Sequence, residues 1–424
     1  MSWNSLPEIA NAMVEKGRGI LAADESTPTC TKRFDSIGVD STEANRNAYR
    51  NMLFTTPGME EFISGVILFD ETLRQSTVKD GTLYPEYLRN LNVIPGIKVD
   101  KGAHNLSGTE GEKVTEGLDG LDARLKEYYE LGARFAKWRA VITINEAEPS
   151  STCVAANAHA LARYAALCQE NGIVPIVEPE ILMDGSHTIE DSYVVTEEVL
   201  HSVFYELYAQ NVLLEGMILK PNMVLSGYEC SEQAPVDEVA DMTVTVLKRC
   251  VPSAVPGIAF LSGGQSNENA TAHLNAMNQI LGSNSPWNLT YSYGRALQSS
   301  ALDAWCGKEE NVSTLIKNMK IKFIIPALLV AFVFTACQDC KDCQSTAGVT
   351  LTKEFFVTNI DGDYVLDSTK VHTYTAIGRF ATPSFKDDSL ALYTTPVSIM
   401  ELCGNDLTDA DGESIAFEQT LGDS

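Results

Sequence analysis

The sequence predicts an α/β fold in which eight strand–helix units close into a (β/α)8, or TIM, barrel. Up to about residue 300, short apolar runs alternate with amphipathic stretches of helical periodicity. There are eight such runs, and each one ends in polar or charged residues. Repeated strand–helix units imply a parallel sheet, and eight of them are typical of a closed barrel.

A helix is expected before the first strand, because Ser5 is a favourable N-cap, Pro7 lies in the first turn and Glu8 completes a capping box. The segments between the strands include helical stretches such as GLDARLKEYYELG and AANAHALARYAALCQENG. In order, the eight strand-like runs are GILAADES from Gly19, GVILFDETL from Gly65, PGIKVDKG from Pro95, ARFAKWRAVI from Ala133, GIVPIVEPEI from Gly172, EGMILKPNMV from Glu215, GIAFLSGGQ from Gly257 and NLTYSYGRAL from Asn288.

Polar and charged residues mark the carboxyl end of every run. In a parallel barrel these strand ends point to one face, where enzymes of this fold place their active sites. Charges in otherwise buried strands are costly unless they are paired or used, so the set predicts an active site, although any single member can be an ordinary ion pair that lines the barrel. The set comprises Asp24, Glu25, Glu71, Lys98, Asp100, Lys137, Arg139, Glu178, Glu180, Lys220, Ser262 and Arg295.

Composition excludes several classes of function. The chain has 424 residues, 44 % of them hydrophobic, which is enough for one large domain and a further segment. The formal net charge of −26 argues against nucleic acid as the main partner, because a phosphate backbone requires basic patches. Six cysteines are scattered from Cys30 to Cys306, and the N-terminus has no export signal, so we expect a cytoplasmic protein with reduced thiols. The six histidines form no HxxxH pair, which disfavours a zinc enzyme.

The barrel-like pattern stops near Met319. Lys320 and Lys322 precede an apolar stretch, 323–334, which is shorter than the roughly 20 residues that a membrane-spanning helix needs. Basic residues, an apolar core and small residues before Cys337 describe a secretory signal, and the stretch resembles that of a bacterial lipoprotein with Cys337 at the lipidated position. A membrane is a partner only if the apolar segment 323–336 belongs to the native chain.

The remaining segment, 338–424, alternates polar and apolar residues, with Asp361-Gly362 as a hairpin turn. It predicts a small β-rich module whose completeness stays open. One close cysteine pair, Cys340 and Cys343, is too little to predict a metal site.

Three segments follow from this organisation. A signal works at an N-terminus, so we interpret the junction near residue 318 as two unrelated reading frames joined together. The segments are a barrel at 1–315, a linker with the signal-like apolar stretch at 316–337, and the β-rich module at 338–424.

Seven motifs give the first 310 residues a specific resemblance. ILAADES, GIKVDKG, FAKWR, VPIVEPEI, ILKPNMV, LSGGQS and SYGRALQ are similar to the successive active-site motifs of class I fructose-bisphosphate aldolases, in that family's order. The resemblance implies a lyase of glycolysis and gluconeogenesis that cleaves fructose 1,6-bisphosphate reversibly to dihydroxyacetone phosphate and glyceraldehyde 3-phosphate through a lysine Schiff base. It also implies a sugar-phosphate substrate, a homo-tetramer, and no metal or other cofactor.

The resemblance places Lys220, in the motif ILKPNMV, at the position of the Schiff-base nucleophile. Burial in an apolar strand disfavours the charged ammonium, and a neutral amine can attack a ketone. The resulting iminium withdraws electrons, so the neighbouring C–C bond can break to leave a stabilised enamine. The alternative is a lysine whose aliphatic chain is buried while its ammonium reaches solvent.

Four further residues match the family's catalytic set. Glu178 corresponds to the acid/base glutamate and Glu180 to its neighbour in the hydrogen-bond network, and two residues apart on one strand they point to the same face. Paired carboxylates tend to separate their pKa values, which would give one acid and one base. Asp24 resembles the aspartate that supports deprotonation of the C4 hydroxyl, and Lys137 resembles the lysine that stabilises charge on substrate oxygens.

A bisphosphate substrate requires two anion sites. Barrels bind phosphate after their seventh and eighth strands, through loop N–H groups and a helix N-terminus. The residues expected there are Ser262, Gly263, Gly264, Gly294 and Arg295. The resemblance assigns the second phosphate to Ser26, Thr29, Arg33, Lys98 and Arg139.

The chain departs from the family's pattern in two places. Pro28 stands where many members have a small residue, and beyond Asn318 we find no counterpart of the last barrel helix or of the tail that ends in tyrosine. Two other functions stay open at this level. One is a different Schiff-base barrel, such as a transaldolase or a deoxyribose-phosphate aldolase, and the other is an inactive truncated barrel joined to a lipoprotein-like binding module.

Overall fold

The computed structural model describes residues 5–145 and 149–312, together with the backbone of two strands at 346–358 and 364–377. The chain divides into two compact units, Met1–Phe334 and Thr335–Ser424. In the second unit, Thr346–Thr358 and Tyr364–Ile377 pair as antiparallel strands. The signal-like stretch and the Asp361-Gly362 turn lie outside the described residues, as do residues 313–345, where the last barrel helix would be expected.

Eight parallel strands close into a barrel in the first unit, and the predicted fold is confirmed. They are β1 (Gly19–Ala23), β2 (Ile63–Leu68), β3 (Ile94–Lys98), β4 (Phe135–Ile142), β5 (Val174–Ile181), β6 (Ile218–Leu219), β7 (Gly257–Phe260) and β8 (Asn288–Tyr293). They follow one another around the barrel in chain order, and β1 pairs with both β2 and β8: Ala22 lies beside Ile67, and Ile20 lies beside Ser292. All the carboxyl ends therefore open on one face.

Helices connect these strands, and their caps follow the sequence signals. Ser5 begins the first helix, where its Oγ accepts a hydrogen bond from the Glu8 N–H at 3.4 Å. Thr188 and Asp191 form a reciprocal capping box at the start of α8 (Ile189–Ala209). The remaining helices are α1 (Leu6–Met13), α2 (Thr27–Asp35), α3 (Glu43–Phe54), α4 (Asp70–Leu73), α5 (Tyr84–Asn90), α6 (Leu121–Glu130), α7 (Ser151–Glu170), α9 (Val236–Cys250), α10 (Asn267–Leu281) and α11 (Arg295–Trp305).

Short elements complete the described part of the first unit. A two-stranded antiparallel hairpin, Ala103–Asn105 with Lys113–Thr115, follows β3. Single 3-10 turns lie at Met59–Glu61, Leu214–Gly216, Gly282–Asn284 and Glu309–Asn311.

The interior of the barrel changes from apolar to charged along β5. On β5, Val174, Ile176, Glu178 and Glu180 share one face, because strand side chains alternate. Val174 and Ile176 belong to a buried apolar cluster that includes Met13 of α1 and side chains of β1 to β4, β6 and β7. Glu178 and Glu180 lie further along, beyond this apolar layer, so it forms the base of the charged end.

The opposite faces of the strands pack against the helices. Trp138 of β4 is fully buried and stacks on Tyr164 of α7 with a ring separation of 5.5 Å. Tyr164 donates its hydroxyl proton to the Ile176 carbonyl of β5 at 3.2 Å. These contacts fix β4 and β5, the two strands that supply most of the charged interior residues.

Candidate active site

Four predicted catalytic side chains meet at the carboxyl ends of β1, β4, β5 and β6. Glu178 lies at the centre: its Oε1 is 3.0 Å from Lys220 Nζ, and its Oε2 is 3.3 Å from Lys137 Nζ. Lys137 Nζ also lies 2.7 Å from Asp24 Oδ2. All four side chains are between 3 % and 12 % exposed, so positive and negative charges alternate in a site that is largely closed to solvent.

Strand pairing explains why Lys220 faces Glu178. β6 ends at Leu219, which pairs with Val177 of β5. The Lys220 N–H still donates to the Val177 carbonyl at 2.8 Å, so the chain stays in register for one residue beyond the strand. Lys220 therefore lies next to Glu178, the residue that follows Val177.

The charges in this cluster set one another's ionisation. Burial raises the pKa of Asp24, but the positive charges of Lys137 and Lys220 outweigh it and lower the pKa to about 2. Burial also raises the pKa of Glu178, and the same two lysines outweigh it and lower that pKa as well. For Lys137, burial lowers the pKa, but the carboxylates of Asp24 and Glu178 outweigh it and hold it above its usual range. At neutral pH both carboxylates are therefore ionised and Lys137 is charged.

The lowered pKa of Glu178 comes from neighbouring cations. The two carboxylates share a face, but each is paired with cations instead of with the other. Glu178 contacts Lys137 and Lys220, and Glu180 forms an ion pair with Arg139. Because Glu178 lies between the two lysines, its negative charge also offsets the repulsion between them.

One carboxylate oxygen of Glu178 can accept a further hydrogen bond. Its Oε2 is buried, and within the described residues it has no hydrogen-bond partner, because the 3.3 Å contact with Lys137 lacks hydrogen-bond geometry. A buried carboxylate oxygen without a hydrogen bond is costly. A hydroxyl group of a bound substrate would satisfy it.

The predicted phosphate residues at β7 and β8 come together. Gly263 and Gly264 have left-handed backbone conformations, with φ of 60° and 100°. A Cβ on Gly264 would lie only 2.9 Å from Nη2 of Arg295, so the glycine backbone and the guanidinium are in close contact. Arg295 follows Gly294, the N-cap residue of α11, so a helix N-terminus also faces this position. Ser262 is buried at the start of the loop.

The residues predicted for the second phosphate form no single contact cluster among the described residues. Ser26 Oγ lies 3.1 Å from Thr29 Oγ1 at the start of α2. The three cations of the set pair with three different carboxylates: Arg33 with Glu25, Lys98 with Asp100 at 2.6 Å, and Arg139 with Glu180.

The sequence matches the family model "Glycolytic: Fructose-bisphosphate aldolase class-I" over residues 5–325. The chain belongs to the class I fructose-bisphosphate aldolases. It is therefore a lyase of glycolysis, as the motifs predict, and its substrate is a sugar phosphate.

Relatives and a solved structure agree with this family. This aldolase is 62 % identical over 305 residues to a probable fructose-bisphosphate aldolase class 1 of Xanthomonas axonopodis pv. citri, which covers 72 % of this chain and 90 % of the relative. It is 57 % identical over 306 residues to fructose-bisphosphate aldolase 4, cytosolic, of Arabidopsis thaliana, with 72 % of this chain and 77 % of that one covered. The Plasmodium falciparum aldolase, solved in complex with TRAP and a small-molecule inhibitor, superposes with a TM-score of 0.75 at 50 % identity, covering 78 % of this chain and 95 % of the other.

The names of relatives bear on the cellular location of this aldolase. Relatives in Arabidopsis thaliana are named cytosolic. In the part of the chain that the structure describes, none of the helices combines the length and the apolar character that a membrane span requires.

Sequence reasoning missed a buried polar side chain that joins α11 to β1, α2 and α3. Gln298 of α11 donates to the Ala22 carbonyl at 2.5 Å and accepts from Arg33 at 3.1 Å and from the Tyr49 hydroxyl at 2.8 Å. Gln298 follows Arg295 by three residues in SYGRALQ, and that helical spacing was the available signal. Its partners lie far away in sequence, so they could be found only in the structure.

A group of potential metal ligands lies away from the active site. Glu197 and His201 of α8 and Cys250 of α9 have ligand atoms within 4.8 Å of one another. Arg249 already pairs with Glu197 at 3.0 Å, and burial raises the pKa of Cys250 to about 11. A guanidinium on the carboxylate and a protonated thiol both oppose cation binding, so this group is a poor metal site.

Proposed function

We propose that this aldolase works through a Schiff base on Lys220, with Glu178 as the acid/base group. The observation that carries the proposal is the buried Lys220 amine at 3.0 Å from Glu178 Oε1, on the barrel face where catalytic residues gather. Lys220 must lose a proton before it can attack the ketone carbon of fructose 1,6-bisphosphate. Glu178 is ionised and in hydrogen-bond contact, so it can accept that proton.

The same proton is then available for dehydration. Attack of the Lys220 amine on the ketone gives a carbinolamine, and the protonated Glu178 donates its proton to the carbinolamine hydroxyl, which leaves as water. Glu178 returns to its carboxylate form, and the iminium is complete. Glu178 therefore needs no raised resting pKa to act as the acid, because it acquires its proton from Lys220 within the reaction.

Carbon–carbon cleavage is assigned to the other end of the cluster. A carboxylate takes the proton of the C4 hydroxyl, the C3–C4 bond breaks, and the electron pair moves into the iminium to form the enamine. We assign support of this deprotonation to Asp24, and stabilisation of the substrate oxygens to Lys137, which lies between Asp24 and Glu178. Glu180 orients Arg139 through their ion pair. Glyceraldehyde 3-phosphate leaves first, and hydrolysis of the protonated enamine releases dihydroxyacetone phosphate.

Two anion sites would hold the phosphates of the substrate. One consists of the Ser262–Gly263–Gly264 loop with Gly294 and Arg295, where a guanidinium, a glycine backbone and a helix N-terminus converge. The other consists of the hydroxyls of Ser26 and Thr29 with three cations. Those cations are Arg33, Lys98 and Arg139, which would exchange part of their carboxylate contacts for phosphate.

Borohydride trapping tests the nucleophile. The protein is reduced with sodium borohydride in the presence of dihydroxyacetone phosphate, and the labelled peptide is mapped by mass spectrometry. We expect one label, on Lys220, and none in Lys220→Met. The exposed Lys126→Met variant is the matched control and should label like the native protein. A label on another lysine, or none in folded native protein, rejects the assignment.

We also propose a homo-tetramer, from the family resemblance. Size-exclusion chromatography with light scattering should give four times the chain mass, and a monomer or dimer mass contradicts it.

The segments 316–337 and 338–424 are proposed to come from a separate reading frame. The support is the abrupt change from barrel-like sequence to a complete signal-like stretch. Sequencing independent DNA clones across codons 310–325 tests this, and one unbroken frame in all of them rejects it.

A further inference from the structure

The glycine loop after β7 is held by a side chain from another loop. Tyr228 lies between β6 and α9, and its phenol donates a hydrogen bond to the Gly263 carbonyl at 2.9 Å. Burial raises the pKa of Tyr228, although Arg295 opposes the rise, so the phenol keeps its proton and remains a donor at neutral pH. A weaker contact, at 3.4 Å, joins the same hydroxyl to the sulfur of Met183.

Hydrogen bonds to the loop after β5 hold the backbone around Tyr228 in place. Three successive N–H groups, those of residues 227–229, donate to carbonyls of the loop after β5 at 2.8 to 2.9 Å. A Cβ on Gly227 would lie 2.3 Å from the Gly185 carbonyl oxygen, so the two backbones are in direct contact. The Tyr228 hydroxyl therefore bonds to Gly263 from a backbone that is held in place, although the residue is 47 % exposed.

The bond to Gly263 controls the direction of the next amide. A trans peptide is planar, with its C=O and N–H pointing in opposite directions, so a fixed Gly263 carbonyl fixes the Gly264 N–H on the other side. Both glycines have positive φ, and glycine reorients its peptide planes at little cost. Without a partner for the carbonyl, this peptide could turn its oxygen toward a bound anion and repel it.

The hydroxyl, the glycine and the guanidinium converge. A Cβ on Gly264 would lie 3.1 Å from Tyr228 Oη and 2.9 Å from Arg295 Nη2. We propose that Tyr228 is a positioning residue for sugar-phosphate binding, which fixes the Gly263–Gly264 peptide so that its N–H and Arg295 hold one phosphate. This rests on the proposed phosphate role of the loop and adds a residue that touches the loop instead of the substrate.

Tyr228→Phe removes the hydroxyl and keeps the ring. We expect KM for fructose 1,6-bisphosphate to rise about threefold to tenfold, which is typical of the loss of one hydrogen bond, while kcat changes less than twofold. The inhibition constant of inorganic phosphate, used as a competitive probe, should rise by a similar factor. The matched control is Tyr205→Phe, which makes the same change on an exposed tyrosine of α8 and should leave all three constants unaltered.

Unchanged KM and phosphate inhibition in Tyr228→Phe overturn the proposal. So does a fall in kcat alone, or a rise in KM that Tyr205→Phe reproduces. Borohydride labelling at saturating dihydroxyacetone phosphate separates this result from the Schiff-base assignment. Label on Lys220 together with unchanged KM in Tyr228→Phe rejects only the role of Tyr228, whereas missing label in the native protein rejects the nucleophile.

Discussion

Lys137 Nζ lies 2.7 Å from Asp24 Oδ2, and this ion pair joins β4 to the end of β1 across the barrel interior. The same nitrogen lies 3.3 Å from Glu178 Oε2. One ammonium group therefore contacts two buried carboxylates, from the ends of strands that are not neighbours. Removing it would leave Asp24 without its ion-pair partner, in a site that excludes most solvent, and would leave Glu178 with Lys220 alone. This is unfavourable both for the fold and for the developing charge of the reaction.

Lys137→Met should separate Schiff-base formation from cleavage. We expect kcat for fructose 1,6-bisphosphate to fall by roughly 10²- to 10³-fold, because the cation beside the developing oxyanion is lost. Borohydride labelling of Lys220 with dihydroxyacetone phosphate should persist, since the contact between Lys220 and Glu178 remains. Steady-state kinetics and mass spectrometry measure the two effects. Lys126→Met, on the surface of α6, should behave like the native protein, and a kcat for Lys137→Met within tenfold of native contradicts the role.

Acid should remove the stabilisation that Asp24 provides. Its folded pKa of about 2 lies below the ordinary value of 3.8, so the ionised form stabilises the fold above pH 4, and this contribution is lost as pH falls from about 4 to about 2. At about 1.4 kcal/mol for each tenfold change in proton affinity, the full contribution is about 2 kcal/mol.

Urea unfolding of native protein and Asp24→Asn at several pH values measures how much the ionised Asp24 carboxylate stabilises the fold. The difference in unfolding free energy should be largest above pH 4 and should shrink below it, because the native carboxylate becomes neutral like the amide. Asp119→Asn, at an exposed position just before α6, is the control for a generic loss of negative charge. A difference between native protein and Asp24→Asn that stays constant between pH 7 and pH 3 contradicts the prediction.

The sequence predicted the barrel because each strand carries its signal locally. On β5, two apolar residues and then two glutamates share one face, so both the strand and its charged end can be read from the alternation of VPIVEPEI. The alternation of apolar and polar residues does not show which side chains on different strands form ion pairs. It placed Glu178 and Glu180 on one face. It could not show that Glu178 contacts Lys137 and Lys220 while Glu180 pairs with Arg139.

The contacts made by loop residues also could not be predicted from the sequence. The bond from Tyr228 to Gly263 joins residues 35 positions apart, and the bond from Gln298 to Ala22 joins residues 276 positions apart. Neither has a periodic signal, because loop geometry depends on how the strands that carry the loops are placed. The apolar run EGMILKPNMV likewise predicted a full strand, whereas only Ile218–Leu219 pairs as β6 and Lys220 continues the register through a single N–H.

Gly96→Ala should destabilise the barrel without touching the site. A Cβ at this position would lie 2.2 Å from the ring of Phe135, which fills the interior between β3 and β4. Overpacking of this kind costs about 1 to 3 kcal/mol, so we expect a lower midpoint in urea unfolding. Equal stability of Gly96→Ala and native protein would show that Phe135 can move aside.

Gly264→Ala tests the glycine loop as an anion site. The substitution imposes a side chain at φ 100° and places its Cβ 2.9 Å from Arg295 Nη2, so it should both strain the loop and displace the guanidinium. We expect KM for fructose 1,6-bisphosphate to rise at least tenfold, because one phosphate loses its bidentate partner and the oriented amide. The inhibition constant of inorganic phosphate should rise in parallel.

Gly108→Ala is the matched control for backbone strain. Gly108 has φ 87°, and a Cβ there meets nothing within 4 Å, so the variant carries a similar conformational penalty in open space. It should lose stability comparable to Gly264→Ala and keep the native KM. If both variants raise KM equally, general backbone strain accounts for the effect, and the contact of Gly264 with Arg295 has no specific part in phosphate binding.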